Sequence, residues 1–98
     1  MILISGDTYN KIGEFSLTAF PDAGTDEHLI KLKEEILEFS ENKEDVSEAA
    51  DCFIAIMAAC YKAGITCMEI STAIIDKFEV LKTRTWIKNE DGTYYHKK

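Results

Sequence analysis

The chain has 98 residues, 46% hydrophobic and 30% charged, a globular composition at a length expected to hold one domain, and neither a disordered nor a fibrous one. Residues 1–76 carry 15 acidic and 5 basic side chains and residues 77–98 carry 3 and 6, so the acidic body disfavours a nucleic-acid polymer as partner and suits a small polyphosphate accompanied by divalent cations. The longest apolar run, 53–61, is too short to cross a bilayer and the start lacks the marks of a secretion signal, so a cytoplasmic protein without a membrane partner is expected.

Residues 1–24 read as an N-terminal arm: Glu14–Phe20 alternates partly at period two, and Gly6, Gly13 and Pro21 punctuate the segment, which predicts extended chain with a short strand. After Pro21 the pattern turns helical. Thr25 or Asp26 can cap a helix to about Ser40, with Leu29, Leu32, Ile36 and Phe39 as its apolar stripe. The polar segment Glu41–Glu44 predicts a short turn and an antiparallel return. The second helix, about 44–63, is apolar all round over Phe53–Cys60, as at the centre of a bundle, and Gly64 is placed to end it in a left-handed cap. Thr66 and Glu69 have the capping-box spacing before a third helix, about 67–85, that presents Ile70, Ile74, Phe78 and Leu81. Residues 86–98 read as a small hairpin and tail, turned by Asp91-Gly92. Three helices over 25–85 cannot cover the apolar run, which predicts an all-α antiparallel bundle completed by assembly into a homodimer or homotetramer. Cys52, Cys60 and Cys67 form no CxxC pair and His28 and His96 are the only histidines, so buried, reduced thiols are expected rather than a zinc site.

The chemistry lies in the carboxylates. Glu35 and Glu38 stand three apart on the first predicted helix, and Glu48 and Asp51 three apart on the second, so each pair projects from one face. A short turn brings the pairs opposite each other, where they would repel unless hard cations such as Mg2+ or Mn2+ sat between them. The alternative is a solvated acidic face; Glu34 and Glu41, with Lys31 or Lys33 nearby, fit that better. Asp51 adjoins the apolar run, where an unpaired carboxylate is costly. On the third helix Lys77 and Arg84, seven apart, fall on one face and suit phosphate oxygens, or else ion pairs with Asp76 or Glu79. Trp86, Tyr94 and Tyr95 can stack on a base, although a Trp ending a helix commonly packs against its bundle.

Leu32–Glu38, Glu48–Asp51, Lys77 and Arg84, in this order, resemble the all-α nucleotide pyrophosphohydrolases of the MazG type, whose pattern is ExxE on one helix, ExxD on the next, and a Lys and an Arg on a third. The stretch Lys77–Trp86, followed by Asp91-Gly92 and His96, looks most like the phage-associated dATP/dGTP diphosphohydrolase branch. The resemblance spans about residues 26–96. It implies Mg2+-dependent hydrolysis of a (deoxy)nucleoside triphosphate to the monophosphate and pyrophosphate, in nucleotide-pool control or housecleaning. Glu35, Glu38, Glu48 and Asp51 would hold two or more Mg2+ (or Mn2+), Glu35 or Glu38 would accept the proton of the attacking water, and Lys77, Arg84 and Trp86 would contact the substrate, with part of the pocket coming from a second subunit. Leu81 stands where the family often has Asn, the gap between the acidic pairs is short, and residues before Pro21 have no counterpart. The competing reading is a non-catalytic acidic helical adaptor; a di-iron bundle is disfavoured because no ExxH pair is present.

Overall fold

Each end of the central hairpin is set by a local hydrogen bond. Gly24 caps α2 (Thr25–Glu41), its N–H donating to Glu27 Oε1 at 2.8 Å; the glycine has no side chain, so only this half of a capping box forms. Asp45 caps α3 (Val46–Lys62), accepting from the Ser47 N–H and hydroxyl at 2.9 and 2.8 Å. Four residues join the two helices, and α2 and α3 pack along each other as an antiparallel hairpin. Gly64, at φ +85°, closes α3 in the left-handed conformation expected of it.

The computed structural model describes residues 5–97. Its elements in order are α1 (Gly6–Ala19), α2, α3, α4 (Cys67–Thr83), β1 (Trp86–Lys88) and β2 (Tyr94–His96). The chain divides into two units, residues up to Met68 and residues from Glu69 onward. Among the described residues no single helix is long and apolar enough to cross a membrane.

The expectation of an extended arm over 1–24 is corrected by α1; residues 1–4 of that arm lie outside the described residues. Ser5 caps the helix by accepting the Thr8 N–H at 3.2 Å, and Asp7 pairs with Lys11 one turn on. The buried face of α1 is Tyr9, Gly13 and Ser16, a helical spacing of four and three. None of the three is aliphatic, so the stripe is invisible to hydrophobic periodicity. Phe15, Leu17 and Phe20, which suggested alternation, are exposed. Gly13 permits close approach to α3, because a Cβ there would fall on the Tyr61 ring. The Tyr9 hydroxyl donates to the Ile65 carbonyl at 2.6 Å, and its ring stands 5.9 Å from that of Tyr61.

Two further expectations shift. Leu29 and Ile36 are exposed, and α2 instead turns His28, Leu32, Glu35 and Phe39 inward. The interior of α3 is Ala55, Ala58 and Ala59, since α1 and α2 both lie against it and only small side chains fit. Phe53 and Ile54 of the apolar run are therefore exposed in the single chain.

In the second unit α4 buries no residue: Ile74 and Phe78 are exposed, and Ile70 and Leu81 half-buried. Lys82 pairs with Glu79 at 2.9 Å and lies over the Phe78 ring. The hairpin pairs Trp86 with His96, Ile87 with Tyr95 and Lys88 with Tyr94. Gly92 adopts φ +94° and Asp91 Oδ1 accepts from the Thr93 N–H and hydroxyl, so Asp91-Gly92 makes the bend, inside a loop of five residues rather than a two-residue turn.

Candidate metal centre

Glu35 and Glu38 approach the C-terminal end of α2, and Glu48 and Asp51 occupy the first turns of α3. The antiparallel hairpin brings all four together: each offers a carboxylate oxygen, and these oxygens lie within 4.8 Å of one another. Two oxygens on opposite sides of a Mg2+ or Mn2+ ion stand about 4 Å apart at ordinary bond lengths, so the spacing suits a hard cation. The negative end of the α2 dipole, with no basic residue in the last turn, deepens the potential there.

The depth of the site is graded. Glu35 is buried (7% exposed), Glu48 half-buried, and Glu38 and Asp51 exposed. Lys31 Nζ lies 3.1 Å from Glu35 Oε1 and 3.4 Å from Glu34, and these contacts, the one to Glu35 foremost, hold its ammonium above the ordinary lysine range. Glu34 is otherwise solvated, as its spacing to Lys31 predicts. Glu35 Oε2 and Glu48 Oε2 are both buried and have no hydrogen-bond partner among the described residues. Orphaned acceptors of this kind are expensive unless a ligand satisfies them. Burial, then the charges of Glu38, Asp45, Asp51 and Glu35, push the Glu48 carboxyl up. Burial and the charges of Glu35, Asp51 and Glu48 likewise push the Cys52 thiol up, which makes it a packing residue rather than a nucleophile. Among the described residues one lysine, paired with Glu35 alone of the four, leaves the cluster under-compensated, and the residues present fit a divalent cation.

The remaining predicted residues belong to the second unit. Lys77 is exposed on α4. Arg84 does not continue that helix: α4 ends at Thr83, and the Arg84 N–H makes a tightened bond to the Leu81 carbonyl, so the seven-residue facing argument stops one residue short. Trp86 opens β1, 42% exposed, with its indole N–H donating to the Leu81 carbonyl at 3.2 Å and its ring edge-on to His96. Tyr94 and Tyr95 are exposed.

Sequence reasoning passed over a cavity of about 400 Å3 between α1, α2 and α3, which Glu35 and Asp51 line on one side and His28 and Ser16 elsewhere. His28 stands seven residues before Glu35, two turns along the same face, and that spacing was the available signal.

A dATP/dGTP diphosphohydrolase of Salmonella phage PMBT28 is 33% identical over 91 residues, covering 92% of this chain; the chain spans 30% of that relative's length. The solved structure of a cyanophage S-2L MazG-like pyrophosphohydrolase, bound to dGDP and three catalytic Mn2+ ions per active site, matches with a TM-score of 0.81 at 23% identity, over 97% of this chain and 99% of that one. The fold is therefore the all-α MazG-like fold. The sequence pattern of the dATP/dGTP pyrophosphohydrolases extends from residue 8 to residue 97, across both units, and the chain belongs to that family.

Proposed function

We propose that the chain hydrolyses dATP and dGTP to the monophosphate and pyrophosphate with divalent cations held by Glu35, Glu38, Glu48 and Asp51. The observation that carries this reading is the cluster itself: four carboxylates from consecutive helices, two of whose oxygens are buried and unbonded, at separations that suit a hard ion. Family membership supports the substrate class, and the names of the phage relatives agree with it. Mg2+ is the expected ion, with Mn2+ able to replace it. When bound, such ions would neutralise charge on the phosphates and lower the pKa of water at the site.

The chain's own groups then divide the work. Glu35, anchored through Lys31, and half-buried Glu48 form the rigid floor. Glu38 is exposed and carries no salt bridge among the described residues, which favours it over Glu35 as acceptor of the attacking water's proton. Lys77 and Arg84 carry the positive charge that suits the departing pyrophosphate. Trp86, with its indole N–H already engaged, offers its ring face to the substrate.

A panel of nucleotides incubated with Mg2+ or Mn2+, with and without EDTA, tests the reading by pyrophosphate release. Turnover of dATP and dGTP, abolished by EDTA, is expected. Glu38→Gln should lose about 100-fold or more in kcat with helix content unchanged by circular dichroism. No pyrophosphate from any nucleotide would overturn the assignment.

A further inference from the structure

One buried titratable side chain has no task in this scheme. His28 is 9% exposed, yet its ring makes no hydrogen bond among the described residues, and neither ring nitrogen is sealed from access. Protein groups ordinarily take up the nitrogens of a buried imidazole; these are left for a ligand in the cavity that His28 lines. The wall of this 400 Å3 cavity is otherwise chiefly apolar: Phe15, Phe20, Ile54 and the small Ala55 and Ala58, which leave the room. That volume lies within the usual range for small-molecule sites. Glu35 and Asp51 of the carboxylate cluster line the same cavity. From Glu35 to His28 is two helical turns, roughly 10 Å along α2, comparable to the length of a nucleoside monophosphate.

We propose that His28 selects purines, its ring N–H donating to N7 of a base held in this cavity while the phosphates meet the carboxylate cluster. The inference rests on the nucleotide reading above. N7 is an acceptor common to adenine and guanine and missing from pyrimidines, so a single donor accepts both purines. A neutral imidazole carries one donor and one acceptor; the donor serves N7 whichever group, amino or carbonyl, the purine carries beside it. A pyrimidine leaves that N–H unpaired in an apolar cavity, and an unpaired buried donor is what makes a polar site discriminating.

The test compares dAMP with 7-deaza-dAMP, which lacks the N7 acceptor, by calorimetry on the full chain in Mg2+, and dATP with 7-deaza-dATP by turnover under the same conditions. The native protein should prefer the N7-bearing member of each pair by about tenfold or more. His28→Ala should bind both monophosphates equally while keeping its Mg2+-dependent gain in Tm. His28→Asn, whose amide can still donate, should recover part of the preference. Equal binding of dAMP and 7-deaza-dAMP by the native protein overturns the proposal even if His28→Ala fails to fold, and so does an N7 preference that survives in His28→Ala. N7-dependent binding without hydrolysis of any triphosphate would sustain the recognition role and remove the hydrolytic reading.

Discussion

Glu48 shows how the site opposes the stability of the fold that carries it. In α3's first turn a carboxylate is favoured by the helix dipole, yet this one is half-buried, has an unbonded buried oxygen, and faces Glu35, Glu38 and Asp51. Removing its charge relieves the repulsion and also removes an oxygen ligand. Glu48→Gln should therefore raise the Tm of EDTA-treated protein and cancel most of the gain that Mg2+ gives the native chain; thermal melts with and without Mg2+ measure both effects. Asp91 behaves oppositely. The Thr93 hydroxyl, then the Thr93 N–H, hold its carboxyl below the ordinary 3.8. Because the folded value is the lower one, its contribution to the hairpin is complete above pH 3.8 and disappears as pH falls through the lowered value. In an NMR titration the Thr93 amide resonance should hold steady from neutral pH to about 4 and move only below it; an amide that shifts at higher pH would contradict the Asp91–Thr93 contact.

Among the elements, the α1–α3 contact turns on one residue. Gly13 is buried in mid-helix, where glycine is otherwise unfavourable, and the space its missing Cβ leaves is taken by the Tyr61 ring. Gly13→Ala gains about 1 kcal/mol in helix propensity but forces the ring or the helix aside, a displacement that costs about 1–3 kcal/mol in a packed interior. A net fall in Tm is expected, measurable by circular dichroism; a rise would mean that α1 sits on α3 loosely. The same contact explains what could be read in advance. The α2–α3 hairpin and the meeting of its two acidic pairs were legible because ExxE and ExxD spacing and a short polar turn are local signals. The α1 helix was not, since its inward face is Tyr, Gly and Ser, and period-two alternation among its exposed residues pointed to a strand. On α2 Leu32 and Phe39 turn inward as the stripe predicts, but His28 and Glu35 take the inward places expected of Leu29 and Ile36, which stay outside. The cavity depends on three helices and two alanines meeting at one place, which no local pattern encodes. Arg84 lies just past the end of α4 for a similar reason: the boundary is drawn by the hairpin that follows, with Trp86 tied back to Leu81.

At the scale of the whole molecule the controlling quantity is the apolar surface. With no fully buried residue, α4 exposes Ile74, Ile75, Phe78 and Val80, and α3 exposes Phe53, Ile54 and Ile56. Isolated apolar side chains on a surface need no explanation, but helix faces of this extent mark interaction surfaces. A net charge of −7 opposes association, yet at ordinary salt that repulsion is screened beyond about 10 Å, whereas apolar burial contributes roughly 25 cal/mol for each Å2 removed from water. Self-association into closed helix bundles is the prediction, with a homodimer or homotetramer expected in sedimentation runs at micromolar concentration and 0.1 M salt. Phe78→Glu should drive the protein towards the monomer. All four carboxylates come from one chain, so the monomeric variant should keep its Mg2+-dependent gain in Tm. Its pyrophosphate release should fall if a second copy completes the substrate pocket. A native protein that sediments as a stable monomer would show that these helix faces serve something other than a second copy of the chain.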